Sequence, residues 1–280
     1  MPVLSPYTMA ALRAACAAAE IHRAFFGKVA RVEYKGKNDP VTEADRAAET
    51  AIIRTIRDAY PDHGFLGEEG GRQGGGPFTW LVDPLDGTFN YARAIPWFAV
   101  SIALEHEGRT QAGVIVQPML GEVYVVEAGR GAWAALLQEL PAPPSARGDL
   151  SLWRRLRVRS TARLDRATLS TGFPNSVAED RLNLDHFTNL VLRAAKIRAM
   201  GSAALGLAAI ALGQTEGYWE LGPNAWDFAA GALLVEEAGG RVSDLRGRPL
   251  DLYGHQILAT NGVIHDDVVA VLALGRSGLD

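Results

Sequence analysis

Apolar positions follow two rhythms along this chain. From Ser5 to Phe26, Ala, Leu and Ile recur with few breakers, which predicts a helix. A second helix is predicted to open at Thr42 and run through Ala51, Ile52, Ile53 and Ile56 to about Tyr60. Thr42 is a candidate N-cap, and Asp45 stands three positions on, at capping-box spacing. Phe65-Leu66 and Thr79 to Val82 are short apolar runs that predict buried strands. At Trp97 the texture turns to β: Trp97 to Glu105, Gln111 to Gln117 and Glu122 to Glu127 are rich in Val, Ile and Ala. Turn residues Glu107-Gly108 and Leu120-Gly121 separate them, so these strands read as an antiparallel meander.

The stretch Leu140 to Asp149 is Pro-rich and apolar-poor, and is the best candidate for a boundary or surface excursion. We divide the chain there into 1–150 and 151–280. Beyond it strands and helices alternate. Thr168 to Gly172, Gly217 to Leu221, Arg241 to Ser243 and Ile257 to Ala259 read as strands. Leu182 to Arg193, Ser202 to Leu212, Ala225 to Ala238 and a last segment read as helices. Such alternation predicts layered α/β architecture. No repeats are found.

Composition narrows the function classes. The chain has 280 residues, enough for a sizeable core, and a net charge of −4, which shows no excess suited to a nucleic acid polymer. The single cysteine, Cys16, excludes an internal disulfide and sits in an Ala-rich helical pattern where packing is its expected role. The first residues, MPVLSPY, lack the positive start of a signal peptide. The longest smooth apolar run, near Gly201 to Gly213, is too short to span a bilayer. The expectation is a cytoplasmic protein.

Acidic positions carry the chemistry. In WLVDPLDGTFNY, Asp83 and Asp86 follow the predicted strand Thr79 to Val82; Glu68 and Glu69 follow Phe65-Leu66; Asp227 opens a helix; Asp45 lies in VTEAD. Carboxylates gathered from strand ends and helix starts repel one another unless a cation lies among them, and Mg²⁺ takes oxygen ligands. No His or Cys falls in these motifs. A thiolate-free carboxylate cluster suggests metal-assisted phosphate chemistry. Gly87-Thr88 adds to it, because glycine permits close backbone approach and N–H groups at a helix start bind anions, while the Thr88 hydroxyl could orient a water. Each motif alone has a plain reading. Asp-Gly pairs form turns, Asp227 and Asp45 suit helix starts, and Glu68-Glu69 before Gly70-Gly71 suits a solvated loop. Two other readings fit less well. DPLDGT is similar to the D-x-D-G-T of haloacid-dehalogenase-type phosphatases, but its acids are spaced D-x-x-D. Gly74-Gly75-Gly76 lacks the Gly-Lys-Ser/Thr of a P-loop.

Taken together, DPVTEAD (39–45), GEE (67–69), WLVDPLDGT (80–88), GSAA (201–204), ELGPNAWDFAAG (220–231) and EEAGG (236–240) resemble the motifs of the inositol monophosphatase family, in its order and separations. The resemblance implies an αβαβα sandwich, with a mixed, largely antiparallel six-stranded N-terminal sheet and a smaller five-stranded C-terminal α/β sheet. It implies that Glu68, Asp83 and the Leu85 carbonyl hold a first Mg²⁺, that Asp83, Asp86 and Asp227 hold a second, and that Glu68 reaches a third through water. Thr88 paired with Asp45, helped by Glu68, would activate the attacking water. The N–H groups of Gly87 and Thr88 would grip the phosphate, and Ala203 and Glu220 would contact a polyol. A lithium-sensitive homodimer acting on a small polyol phosphomonoester follows, with myo-inositol monophosphate as first choice. Fructose 1,6-bisphosphate, histidinol phosphate and 3′-phosphoadenosine nucleotides are the alternatives on this scaffold, and a catalytically silent metal- or phosphometabolite-binding protein is the reading from outside the enzymes. The chain departs from the family after GAW (131–133), where residues 134–154 precede a strand expected at Arg155 to Val158. Either Lys35 or Lys37 matches a family lysine upstream of VTEAD.

Overall fold

A computed structural model describes residues 3–28, 32–36, 39–140 and 150–275. Helix α1 (Pro6–Phe25) is capped by the Ser5 hydroxyl, which accepts from the Thr8 N–H at 3.2 Å. Strands β1 (Val32–Gly36) and β2 (Asp39–Thr42) form an antiparallel hairpin that feeds helix α2 (Glu43–Ala59). There follow β3 (Gly64–Gly67), β4 (Gly71–Gln73), β5 (Phe78–Asp86) and the single-turn helix α3 (Thr88–Ala92). The meander is β6 (Ala99–His106), β7 (Arg109–Gln117), β8 (Glu122–Glu127) and β9 (Gly131–Leu136), with a two-residue β10 (Arg154–Arg155) on its edge. The remainder is β11 (Thr168–Thr171), α4 (Val177–Asp180), α5 (Leu184–Val191), β12 (Lys196–Arg198), α6 (Ala203–Ala211), β13 (Gly217–Leu221), α7 (Ala225–Glu237), β14 (Arg241–Ser243), β15 (Gln256–Thr260) and α8 (His265–Leu272).

The larger sheet has the order β10-β9-β8-β7-β6-β5-β3-β4, with only β3 and β5 parallel. The smaller has the order β12-β11-β13-β15-β14, with β11 parallel to both its neighbours. The sheets stack in five layers. Trp80 and Val82 of β5, Val114 and Val116 of β7, and Val123 and Val125 of β8 pack against α1 and α2. The alternate residues Leu81, Ile115, Tyr124 and Val126 turn to the other face and pack with α6 and α7, which also meet Tyr218, Ile257 and Ala259 of the second sheet. Helix α6 and the middle of α7, Phe228 to Val235, are apolar on every side because both of their faces are covered. Leu169, Trp219 and Leu258 complete the stack against Leu190, Val268 and Leu272 of α5 and α8. This is the expected αβαβα sandwich. Cys16 is a packing residue, its thiol pushed up to about 11 by burial.

The larger sheet has eight strands rather than six, the additions being the short edge strands β4 and β10. The strand expected at Arg155 to Val158 stops at Arg155, since the Val158 N–H leaves the sheet edge for the Ala238 carbonyl at 3.0 Å. The helix expected from Leu182 starts at Leu184. Asn183 has φ 72°, and its amide donates to Thr171 Oγ1 (2.9 Å) and to the Gly172 carbonyl (2.8 Å), so the helix cannot run through it. Residues 141–149 of the predicted excursion and Lys37 lie outside the described residues, as does the side chain of Lys35. Among the described residues no helix is long and apolar enough to cross a membrane.

Candidate active site

The site begins with a break in a strand. Pro84 has no N–H to give to the ladder, and between Asp83, paired with Ser101, and Asp86, paired with Ala99, β5 carries one residue more than β6. This β-bulge bends the end of β5 so that Asp83, Leu85 and Asp86 all line one cleft. The Asp83 carboxylate accepts from the Leu85 N–H at 2.9 Å, which tightens the bulge into an Asx turn. From the other side His22 of α1, fully buried, places Nε2 2.7 Å from the Pro84 carbonyl, and the Tyr91 hydroxyl donates to the His22 carbonyl at 2.9 Å. Burial lowers the imidazole to about 4, so it is neutral and donates to that carbonyl.

Gly87 follows at φ 100° and forms the N-cap of α3. A β-carbon there would lie 3.0 Å from the Gly201 carbonyl oxygen and 3.1 Å from that of Trp97, so both the conformation and the close approach demand glycine. Asn90 ties the same loops together, its amide donating to the Trp97 and Met200 carbonyls at 2.8 Å each.

The cleft has a volume of about 360 Å³ and lies between the two sheets. Five acids line it: Glu68 beyond β3, Asp83 and Asp86 at the bulge, Glu220 on β13 and Asp227 on α7. Leu85, Gly87, Thr88 and Ala203 line it too. Asp45 stands behind Thr88. Its Oδ1 accepts from the Thr88 hydroxyl at 3.0 Å, and its Oδ2 accepts from the Thr42 N–H at 2.9 Å and the Thr42 hydroxyl at 2.5 Å. Thr88 Oγ1 is also 2.9 Å from the Leu85 carbonyl, and its one hydrogen serves one acceptor at a time. Glu69 points elsewhere, to a surface groove shared with Arg46 and Gln73.

Asp86 is engaged with the start of α6, accepting from the Ser202 hydroxyl and from the N–H groups of Ala203 (3.1 Å) and Ala204 (2.8 Å). Burial still pushes it up to about 6 against these donors. Asp83 is held well above the usual carboxylate range by burial and then by Glu68, Asp86 and Asp227. Asp227 is raised by its removal from water, though the Asn224 N–H pulls it back. Glu220 reaches about 7 from burial, opposed by the Tyr218 hydroxyl. Burial also raises Asp45.

Among the described residues, no three His, Cys, Asp or Glu side chains converge closely enough to hold a metal ion as they stand. Asp86 is turned towards α6, and the acids repel. The donor set nevertheless fits Mg²⁺: it is all oxygen, partly buried, and among the described lining residues no Lys, Arg or His offsets five carboxylates.

Four contributors went unread in the sequence: Glu49, Ser202, Tyr218 and His22. Glu49 of α2 accepts from the N–H groups of Glu69 (2.9 Å) and Gly70 (2.7 Å) and so holds the Glu68 turn. Its signal was an acid on the stripe of Ala48, Ile52 and Ile56, where it is buried. Ser202 lies within the GSAA run and Tyr218 within the strand expected at Gly217 to Leu221, and neither residue carries a local signal of its contact with Asp86 or Glu220.

The sequence profile of the inositol monophosphatase family matches residues 3–274. The inositol-1-monophosphatase of Synechocystis sp. is 40% identical over 265 residues, covering 92% of this chain and 85% of that protein. The Nus factor SuhB of Pseudomonas aeruginosa is 40% identical over 270 residues, covering 92% of each. Among solved structures, an inositol monophosphatase from Anabaena (Nostoc) sp. superposes with a TM-score of 0.82 at 36% identity, over 95% of this chain and 94% of that one. The extragenic suppressor protein suhB of Bartonella henselae gives 0.84 at 36% identity, over 95% and 98%. The chain therefore belongs to the inositol monophosphatase family and is a phosphoric monoester hydrolase.

Proposed function

We propose that this phosphatase hydrolyses a small polyol phosphomonoester, first of all myo-inositol monophosphate, with two or three Mg²⁺ ions at the cleft. The observation that carries the reading is the set of five carboxylates lining one cleft with no cationic side chain among its described lining, beside the Thr88–Asp45 pair. Glu68, Asp83, Asp86, Asp227 and the Leu85 carbonyl would hold the ions. Bound Mg²⁺ supplies charge neutralisation on the phosphate and leaving oxygen and lowers the pKa of a bound water. The chain does the rest. Thr88 donates to Asp45, which leaves lone pairs on Thr88 Oγ1 to accept a hydrogen from the attacking water. Asp45, raised by burial, is suited to take up the proton, with Glu68 assisting. The N–H groups of Gly87 and Thr88 hold phosphate oxygens.

Ala203 and Glu220 meet the polyol. A carboxylate accepts from hydroxyls and repels a second phosphate, which favours inositol monophosphate over fructose 1,6-bisphosphate and the 3′-phosphoadenosine nucleotides. We also place the enzyme in the cytoplasm as a lithium-sensitive homodimer, on the family resemblance, with residues 1–150 carrying most of the acids and 151–280 carrying Asp227 and Glu220. The test is phosphate release in Mg²⁺ from inositol 1-phosphate, histidinol phosphate, fructose 1,6-bisphosphate and adenosine 3′,5′-bisphosphate. Inositol phosphate should lead, and Asp83→Asn should abolish turnover with the fold intact. Normal turnover by that variant overturns the metal assignment.

A further inference from the structure

Tyr218 and Glu220 stand two residues apart on β13, on one face of the strand, and both line the cleft. Two glycines make room for them. The Tyr218 ring, 3% exposed, lies over Gly206 of α6, where a β-carbon would stand 2.7 Å from ring atoms Cδ2 and Cε2. The Glu220 carboxylate lies over Gly172, next to β11, where a β-carbon would stand 1.9 Å from Oε1 and 2.6 Å from Cδ. Neither glycine has a positive φ, so the requirement there is space, not backbone conformation. Within that space the Tyr218 hydroxyl donates to Glu220 Oε2.

A glutamate at a cleft wall ordinarily samples several rotamers, and ordering it on binding weakens the contact. Here the phenol fixes one oxygen while the bare face of Gly172 receives the other. The hydroxyl hydrogen is spent on Glu220, so Tyr218 has no donor left for substrate, whereas the carboxylate retains lone pairs for a donor entering the cleft.

We propose that Tyr218 is a positioning residue for substrate selection: its hydroxyl holds the Glu220 carboxylate in the one orientation that accepts from a hydroxyl of the leaving alcohol, so the enzyme selects hydroxyl-bearing over hydroxyl-free phosphomonoesters. This rests on the reading of Glu220 as a polyol contact. The test compares inositol 1-phosphate with phenyl phosphate on the Mg²⁺-loaded enzyme. Tyr218→Phe should lower the ratio of kcat/KM for inositol 1-phosphate over phenyl phosphate about tenfold, with the loss in KM rather than kcat. On a Glu220→Gln background the same change should move that ratio by less than about twofold, because the two groups act as a unit. An unchanged ratio in Tyr218→Phe, or a loss shared by both substrates, overturns the proposal. If Glu220→Gln lowers the ratio and Tyr218→Phe does not, Tyr218 alone is misassigned. If Glu220→Gln leaves the ratio untouched, the polyol reading of Glu220 fails and the proposal falls with it.

Discussion

His22 gives a prediction whose sign changes with pH. Its Nε2–H donates to the Pro84 carbonyl at 2.7 Å, its ring meets those of Tyr91 and Phe98 edge-on with centroids 5.5 and 6.0 Å away, and its Nδ1 has no hydrogen-bond partner. His22→Phe keeps a ring among rings and removes the donor. The buried Pro84 carbonyl is then left unpaired, at a cost of about 2 kcal/mol, or about 3–4 °C in Tm at neutral pH for a chain of this size. Acid reverses the comparison. The imidazole titrates at the ordinary 6.5 in the unfolded chain and at about 4 in the folded one, so between those values the unfolded chain binds the proton first. Stability from the neutral ring is therefore complete above pH 6.5 and is lost as pH falls towards 4. At about 1.4 kcal/mol per pH unit the loss is about 3 kcal/mol. The phenylalanine variant has nothing to lose, so the two stability curves should cross at about pH 5, with the variant more stable below.

Denaturant unfolding of both proteins at several pH values from 7 to 4 measures this directly, since every other titrating group is common to the two. A difference of constant size across that range, or none at pH 7, would refute the idea that a neutral imidazole holds the bulge. The bulge carries Asp83, Leu85 and Asp86, so turnover reads out the same contact. At pH 7 the variant should lose about tenfold in kcat/KM, as expected for site groups misplaced by a fraction of an ångström.

Glu49→Ala removes the carboxylate that receives the Glu69 and Gly70 N–H groups, and should cost about 1–2 kcal/mol in unfolding free energy while lowering kcat more than its stability loss explains. Gly172→Ala places a methyl 1.9 Å from Glu220 Oε1 and should raise KM for inositol 1-phosphate about tenfold or more, measured by phosphate release, with the backbone undisturbed because its φ is ordinary. Asp83→Asn keeps an acceptor for the Leu85 N–H while removing one of several crowded negative charges. In EDTA its Tm should match or exceed the wild type, and added Mg²⁺ should raise its Tm less than that of the wild type.

What the sequence made legible is uneven, and the unevenness has physical causes. The strands of the meander and the two central helices were readable because burial on both faces forces continuous apolar runs, and local composition alone reveals those. Edge elements such as β4, β10 and β12 bury little and leave no such trace. Glu49 and His22 act through contacts with residues 20 and 62 positions away, a relation that no window of neighbours contains.

Asp45 and Asp227 show why the plain and the chemical readings of one residue need not compete. Each occupies the third position of a helix and accepts from the N-cap N–H, Thr42 at 2.9 Å in α2 and Asn224 at 2.7 Å in α7. In both cases Oδ2 makes the cap. A carboxylate has a second oxygen. In Asp45 it reaches Thr88 at 3.0 Å, and Asp227 keeps a side for the cleft it lines. The cap fixes the rotamer, the helix start fixes the position, and a group needed for local folding thus arrives at the site already oriented. Capping spacing therefore argues neither for nor against a role in chemistry. What separates these two acids from an ordinary cap such as Ser5 is the place of the helix start: α2 opens behind the Thr88 turn and α7 opens onto the cleft, both beside the strand whose bulge gathers the remaining acids.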